Sequence, residues 1–285
     1  EEGYFADQGI EVELLNLVQA EQVMPALASG QADVSSGLVS AGIFNAISRG
    51  ADIRMVADKG NIDPTACISY AAIGRKELIE SGVLDTPAGL DELTINTIPT
   101  TWLEYYLSKL LAQGGLTLDD VTPAGILDTS ATPGALSSGE LDIAMNSEPW
   151  LAISAGAGHL PVLDSPQEIL PNDTVAMMLY GPTLLGDNRD VGIRFMAAYL
   201  KGVAQYAEGK TARNLDIIEG FTQLDRQLLE GICWPSINPT GEVNTAGIAD
   251  FQQFALDRGY IDEIVNTADY YDAGFVTEAS ALLDG

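Results

Sequence analysis

Two hydrophobic periods alternate along this chain. Short apolar runs bounded by Gly, Asp or Pro predict strands at 10–15, 32–35, 53–57, 66–73, 93–96, 121–126, 141–145 and 175–180. Between them, apolar residues spaced three and four apart predict helices at 22–29, 40–49, 75–80, 101–113, 132–138 and 149–155. From Arg189 onward the pattern is almost wholly helical, through 189–207, 212–221, 226–232, 245–258 and a last helix near 277–283. Strands and helices taken in turn make an α/β fold.

One segment of this pattern occurs twice. Ala26-Leu27-Ala28-Ser29-Gly30-Gln31-Ala32-Asp33-Val34-Ser35 returns as Ala135-Leu136-Ser137-Ser138-Gly139-Glu140-Leu141-Asp142-Ile143-Ala144. In each copy a helix ends at the glycine and an aspartate introduces a short apolar strand. The two copies are too far apart for a solenoid, whose repeats run roughly 20 to 50 residues. They predict one unit in each of two similar lobes. Strands 66–73 and 175–180 bracket the second copy and are the expected crossovers. Residues 1–72 and 180–285 then form the first lobe and 73–179 the second, with a ligand cleft between them.

Charge narrows the partners. The 285 residues carry 41 acids against 13 bases, a net charge of −28. Nucleic acid and anionic membrane surfaces would be repelled. From Glu77 to Thr174 fifteen acids face a single base, Lys109, so an anionic solute would find little positive charge in the second lobe. Such acidity suits a saline medium or simply solubility, and both readings stay open. With 46% hydrophobic residues the chain can bury a core, yet no apolar run reaches the roughly 20 residues that span a bilayer. A soluble monomer is expected.

Catalytic constellations are missing from the pattern. No Ser-His-Asp set, zinc-binding His pair or phosphate-cradling Gly loop can be assembled, and no metal or cofactor is expected. His159 is the one histidine, without a second ligand nearby. Cys67 and Cys233 lie in apolar contexts, Thr-Ala-Cys-Ile-Ser and Gly-Ile-Cys-Trp-Pro, that suit buried thiols. A bridge between them is permitted outside the cytoplasm.

Binding is the better-supported chemistry, because ligands of open α/β sheets sit beyond the carboxyl ends of strands. That rule selects Ser36, Gly37, Leu38 and Ser40 with Asp58, Lys59 and Asn61 in the first lobe, and Tyr180 at the end of the last strand. In the second lobe it selects Thr97, Thr100, Thr101 and Trp102 with Asn146 and Glu148. A threonine at 100 or 101 can cap a helix whose free amides would hold an acceptor-rich group, or serve the helix alone. Gly37 would permit close backbone approach. Glu148 can accept from a ligand amine or start the helix at Pro149. Trp102 can stack on a planar solute or belong to the core.

The chain also carries a family likeness. Glu2-Gly3-Tyr4-Phe5-Ala6-Asp7-Gln8-Gly9-Ile10-Glu11-Val12 resembles the opening motif of the SsuA/TauA/THI5-like (NMT1-like) substrate-binding proteins. Pro25 to Val34, Arg49 to Asp58, Arg75 to Ile79, and Gly139 to Asp142 followed by Glu148-Pro149-Trp150 resemble further blocks of that family, in order. The resemblance implies a two-lobed type II periplasmic-binding-protein fold. It also implies an extracytoplasmic protein that closes by hinge motion on a small-molecule solute and delivers it to an ABC permease. Relatives handle sulfonates, taurine, nitrate, pyrimidine precursors and riboflavin-like compounds; the single base of the second lobe favours an uncharged or aromatic solute here. Family members open with a strand and a ligand-touching loop ahead of the Gly-Tyr-Phe motif, whereas this sequence begins at the motif. An enzyme on the same fold, or a sensory module, are the alternatives.

Overall fold

The computed structural model describes residues 1–15, 20–125 and 128–284. Its strands, in chain order, are β1 (Val34–Leu38), β2 (Arg54–Asn61), β3 (Tyr70–Gly74), β4 (Thr94–Asn96), β5 (Thr122–Pro123), β6 (Ile143–Ser147), β7 (Leu160–Val162) and β8 (Thr174–Tyr180). Helices fill the intervals, as the alternating periods require. The chain divides into two compact units: unit 1 holds Glu1–Asn61, Asp173–Asn214 and Ile237–Gly285, and unit 2 holds Ile62–Asn172 and Leu215–Ser236.

Unit 1 is built on a three-stranded sheet ordered β1-β8-β2, with both outer strands antiparallel to β8. Every residue of β8 is buried, which explains its uninterrupted apolar run: a central strand covered on both faces needs no polar alternation. Helices Arg189–Ala207 and Gly274–Asp284 supply one cover, joining Val56, Met178, Tyr180, Met196, Leu200 and Phe275 in one core cluster. Close packing there depends on Gly192, where an added Cβ would lie 2.7 Å from the Phe275 ring.

Unit 2 carries a five-stranded sheet ordered β5-β4-β6-β3-β7. Strand β4 runs parallel to β5 and β6, and β3 runs antiparallel to β6 and β7. Ile73, Leu136, Leu141, Ala144 and Leu151 form its core beneath helices Thr132–Ser138 and Trp150–Gly156.

The sequence repeat is a structural repeat, one copy per unit. Gly30 and Gly139 both adopt left-handed φ, 74° and 77°, and end their helices as C′ glycines do. The next backbone bonds also match: Ala32 N–H donates to Ala26 O at 3.0 Å, and Leu141 N–H to Ala135 O at 3.2 Å. The likeness continues into the neighbouring strand, since β1 pairs Val34 with Tyr180 as β6 pairs Ile143 with Gly74. Asp33 O then accepts from Gly181 N–H, and Asp142 O from Arg75 N–H.

Several expectations are corrected. The passages between units fall at 61/62 and 172/173, so β8 belongs to unit 1 and neither β3 nor β8 is itself a crossover. Residues 215–236 join unit 2 instead of returning with the first lobe. There Leu215, Leu229 and Ile232 bury one another against Ala152 and Trp234, and Cys233 is disulfide-bonded to Cys67. Residues 10–15 form no strand, and Val12, Leu14 and Leu15 are exposed; alternation makes a strand only where a ladder partner exists, and none pairs with them among the described residues. Strand β7 was not foreseen, because three residues with a central proline at a sheet edge show no period. Of the expected strand at 121–126, Ile126 lies outside the described residues.

Candidate functional site

In unit 1 the expected loops meet at one end of the sheet. Gly37 on β1 and Asp58 on β2 both pair with Met177, from opposite sides of β8, and Leu38 and Gly60 both pair with Ala176. Ser36 and Gly37 are exposed, while Leu38 and Ser40 are partly buried. A Cβ on Gly37 would meet nothing within 4 Å, so within the chain itself no crowding calls for glycine there. Ser40 precedes helix Ala41–Ser48 without capping it through its side chain, which leaves the hydroxyl available.

Asp58 differs from its exposed neighbour Lys59 in being fully buried. Its Oδ1 accepts from Asn238 N–H at 2.9 Å, while Oδ2 meets no hydrogen-bond partner. Its main chain is held as well, by Asp58 N–H to Gly241 O at 2.8 Å and Tyr199 Oη–H to Asp58 O at 2.7 Å. Burial pushes the carboxyl up from 3.8 to about 7, although the Asn238 and Gly60 amides, the Thr174 hydroxyl and the Lys59 charge pull the other way. Burial wins because desolvation penalises only the charged form. Asn61, at the end of β2, also has a buried Oδ1 without a partner. Tyr180 is core instead of site: it is fully buried, edge-on to Phe275 at 4.9 Å, and its hydroxyl donates to Gly192 O at 2.9 Å.

In unit 2 the pairing of Asn96 with Ala144 brings the loop after β4 beside the end of β6. Thr101 caps helix Trp102–Gln113, its Oγ1 accepting from Leu103 N–H at 3.3 Å and donating to Ile98 O at 2.7 Å. Thr100 holds a left-handed φ of 62°, an uncommon and costly conformation for a β-branched residue. Its N–H donates to Glu104 Oε2 at 2.8 Å. Glu104, in the first turn, thus reaches back to the residue before the cap and places its carboxyl group beside this helix start. Thr97 Oγ1 is buried without a partner.

Three other candidates are engaged in the fold. Trp102 is 1% exposed, stacked on Tyr106 and edge-on to Tyr70, each at 5.7 Å. Asn146 Nδ2 donates to Thr132 Oγ1 at 2.8 Å and to Thr129 O at 3.2 Å, and its Oδ1 accepts from Ser147 N–H. Glu148 Oε2 accepts from Ala152 N–H at 3.0 Å and Oε1 from Cys233 N–H at 3.3 Å. His159 is structural too: Nδ1 accepts from Lys76 N–H at 3.1 Å and Nε2 lies 3.0 Å from Ser137 Oγ. Burial is the main cause holding its pKa below the usual histidine value. The partners of Asp58 were not anticipated, since Asn238 lies 180 positions away and no local pattern marks it.

The family model NMT1/THI5 like matches residues 1–209. No curated protein sequence matches the chain. Solved structures of similar fold include the ligand-binding component of an ABC-type import system from Staphylococcus aureus with zinc bound, at TM-score 0.74 and 17% identity, covering 94% of this chain and 88% of that one. The periplasmic aliphatic sulphonate binding protein SsuA from Escherichia coli aligns at TM-score 0.65 and 19% identity, over 88% and 79%. The desulfurization enzyme DSZB aligns at TM-score 0.71 and 13% identity, over 99% and 94%.

Proposed function

The chain belongs to the NMT1/THI5-like family, and from that premise we propose that it is the extracytoplasmic solute-binding protein of an ABC importer, closing by hinge motion on a small organic solute for a membrane permease. The observation that carries this reading is the duplicated helix–turn–strand unit, one copy in each compact unit, with polar loops at the carboxyl ends of both sheets. The Cys67–Cys233 disulfide suits an oxidising compartment, and no described helix is long and apolar enough to cross a membrane.

The solute contacts fall to Ser36, Gly37, Ser40, Lys59, Asn61, Thr97 and Thr100. Buried unpartnered Asn61 Oδ1 favours a solute that offers an N–H or O–H donor, since an unfilled buried acceptor is costly, whereas the unpartnered Thr97 hydroxyl can donate or accept. With Glu104 already at the start of its helix, a fully anionic solute is disfavoured. Mass spectrometry of the solute that co-purifies, followed by scattering with and without it, tests the reading. A bound neutral or amine-bearing compound and a smaller radius on binding are expected, whereas an unchanged radius at saturation rejects closure. The second reading, an enzyme, is favoured by the fold shared with DSZB; conversion of the captured compound on incubation would decide for it.

A further inference from the structure

Among the described residues, Glu104 is the one buried carboxylate of unit 2, at 8% exposure. It stands in the first turn of helix Trp102–Gln113 between Leu103 and Tyr105, which are 4% and 1% exposed. A charge in such apolar company is ordinarily paired, and here unit 2 supplies no partner. Its bases are Arg75, Lys76, Lys109 and Arg226, and each is engaged elsewhere. Arg75 pairs with Asp142 at 2.9 Å, Lys76 with Glu80 at 3.8 Å and Arg226 with Asp216 and Glu219. Lys109 lies over the Tyr105 ring at 4.9 Å.

We propose that Glu104 is the cation-binding residue of the solute site, its carboxylate receiving the ammonium, amidinium or guanidinium group of a small organic cation. The inference rests on the solute-capture reading above and names the chemical class of the solute. Capping alone does not call for a charge: Oε2 accepts from Thr100 N–H at 2.8 Å, and the amide oxygen of a glutamine would serve as well. An ionised carboxylate has about four acceptor positions, so most of its capacity is unspent. Oε1 makes no hydrogen bond among the described residues and is not one of the unpartnered atoms sealed from solvent. The loop over it opens to solvent at Ile98 and Pro99. Thr97 Oγ1, buried without a partner at the start of that loop, can accept a further N–H. Left-handed Thr100 between them is strain of the kind that collects where a ligand is held. A metal ion suits the place poorly, since no group of three or more metal-ligating side chains gathers among the described residues. An organic cation needs only one carboxylate for its charge and nearby hydroxyls for its remaining N–H groups.

Calorimetric titration with matched probes tests this, using butyl, benzyl and phenethyl frames that each carry an ammonium, a hydroxyl or a carboxylate group. In at least one frame the ammonium member is expected to bind about tenfold more tightly than the hydroxyl member, the difference between a charge-assisted and a neutral hydrogen bond. The carboxylate member should bind least. Glu104→Gln, which still accepts from the Thr100 amide, should bring the ammonium affinity down to that of the hydroxyl member and leave the latter within about twofold. If that variant does not fold, the same change beside Thr100→Gly supplies the measurement, because glycine holds the left-handed φ without strain. Ammonium members that bind no better than hydroxyl members in every frame, or that bind not at all, would overturn the assignment. So would an ammonium preference that survives Glu104→Gln. Scattering on the solute that co-purifies keeps the two readings apart: closure around a neutral or anionic compound would strike the cation site and leave solute capture standing.

Discussion

At the scale of single residues, the decisive quantity is what each polar or aromatic group has left to offer once the fold has used it. Trp102 has nothing left, being buried against Tyr106 and Tyr70. Trp102→Ala is therefore expected to cost about 3 to 5 kcal/mol of folding stability, read by urea unfolding, with solute affinity per folded molecule unchanged. Asp58 is the opposite case, a group whose burial works against stability. Its folded pKa is raised from 3.8 to about 7, so the stability it contributes is full below about pH 4 and is lost as pH rises through 7. Asp58→Asn should accordingly be more stable than the parent at pH 8, by a margin on the order of a few kcal/mol. That margin should shrink to nothing near pH 4, and equal unfolding midpoints at pH 8 would show that the buried charge is not the cost described.

At the scale of elements, the repeated unit depends on its two turn glycines. Both hold a left-handed φ and lie between a helix and a strand that must reverse direction within three residues. Gly30→Ala and Gly139→Ala should each destabilise by about 1 kcal/mol, the penalty of a Cβ in that conformation. Thermal unfolding of the two variants and of the pair checks this, with additivity expected because the sites belong to different units. The loop before helix Trp102–Gln113 shows the same economy at higher strain. Left-handed Thr100 is held by Glu104, and Glu104→Gln would keep an acceptor for that amide.

At the scale of the whole molecule, the 215–236 excursion and its disulfide set the division into units. The bridge closes a loop of 166 residues in sequence, which restricts the unfolded chain far more than the folded one. Cys67→Ser with Cys233→Ser is expected to lose about 2 to 5 kcal/mol. Calorimetry of the reduced and oxidised parent protein should report a loss of the same sign. If the variant unfolds at the parent's temperature, the excursion is held by Leu215, Leu229 and Ile232 alone.

The sequence by itself determined the α/β alternation, the duplicated unit, helix 189–207 to the residue, and the loops at the carboxyl ends of the sheets. Those features are written in intervals of a few residues, where hydrophobic period, cap and turn glycine act on their near neighbours. Only the tertiary structure decided which candidates are spent. Asn146 and Glu148 looked available until Thr132, Ala152 and Cys233 came to fill their bonds. Both outcomes for the cysteines were compatible with their apolar surroundings until β3's unit received residues 215–236. Asp58 was legible as a residue at a strand end, but its buried state and its hold on Asn238 were not. Hydrogen bonds and desolvation act through space at about 3 Å, and a single sequence carries no record of which residues 85 or 180 positions apart will be brought that close.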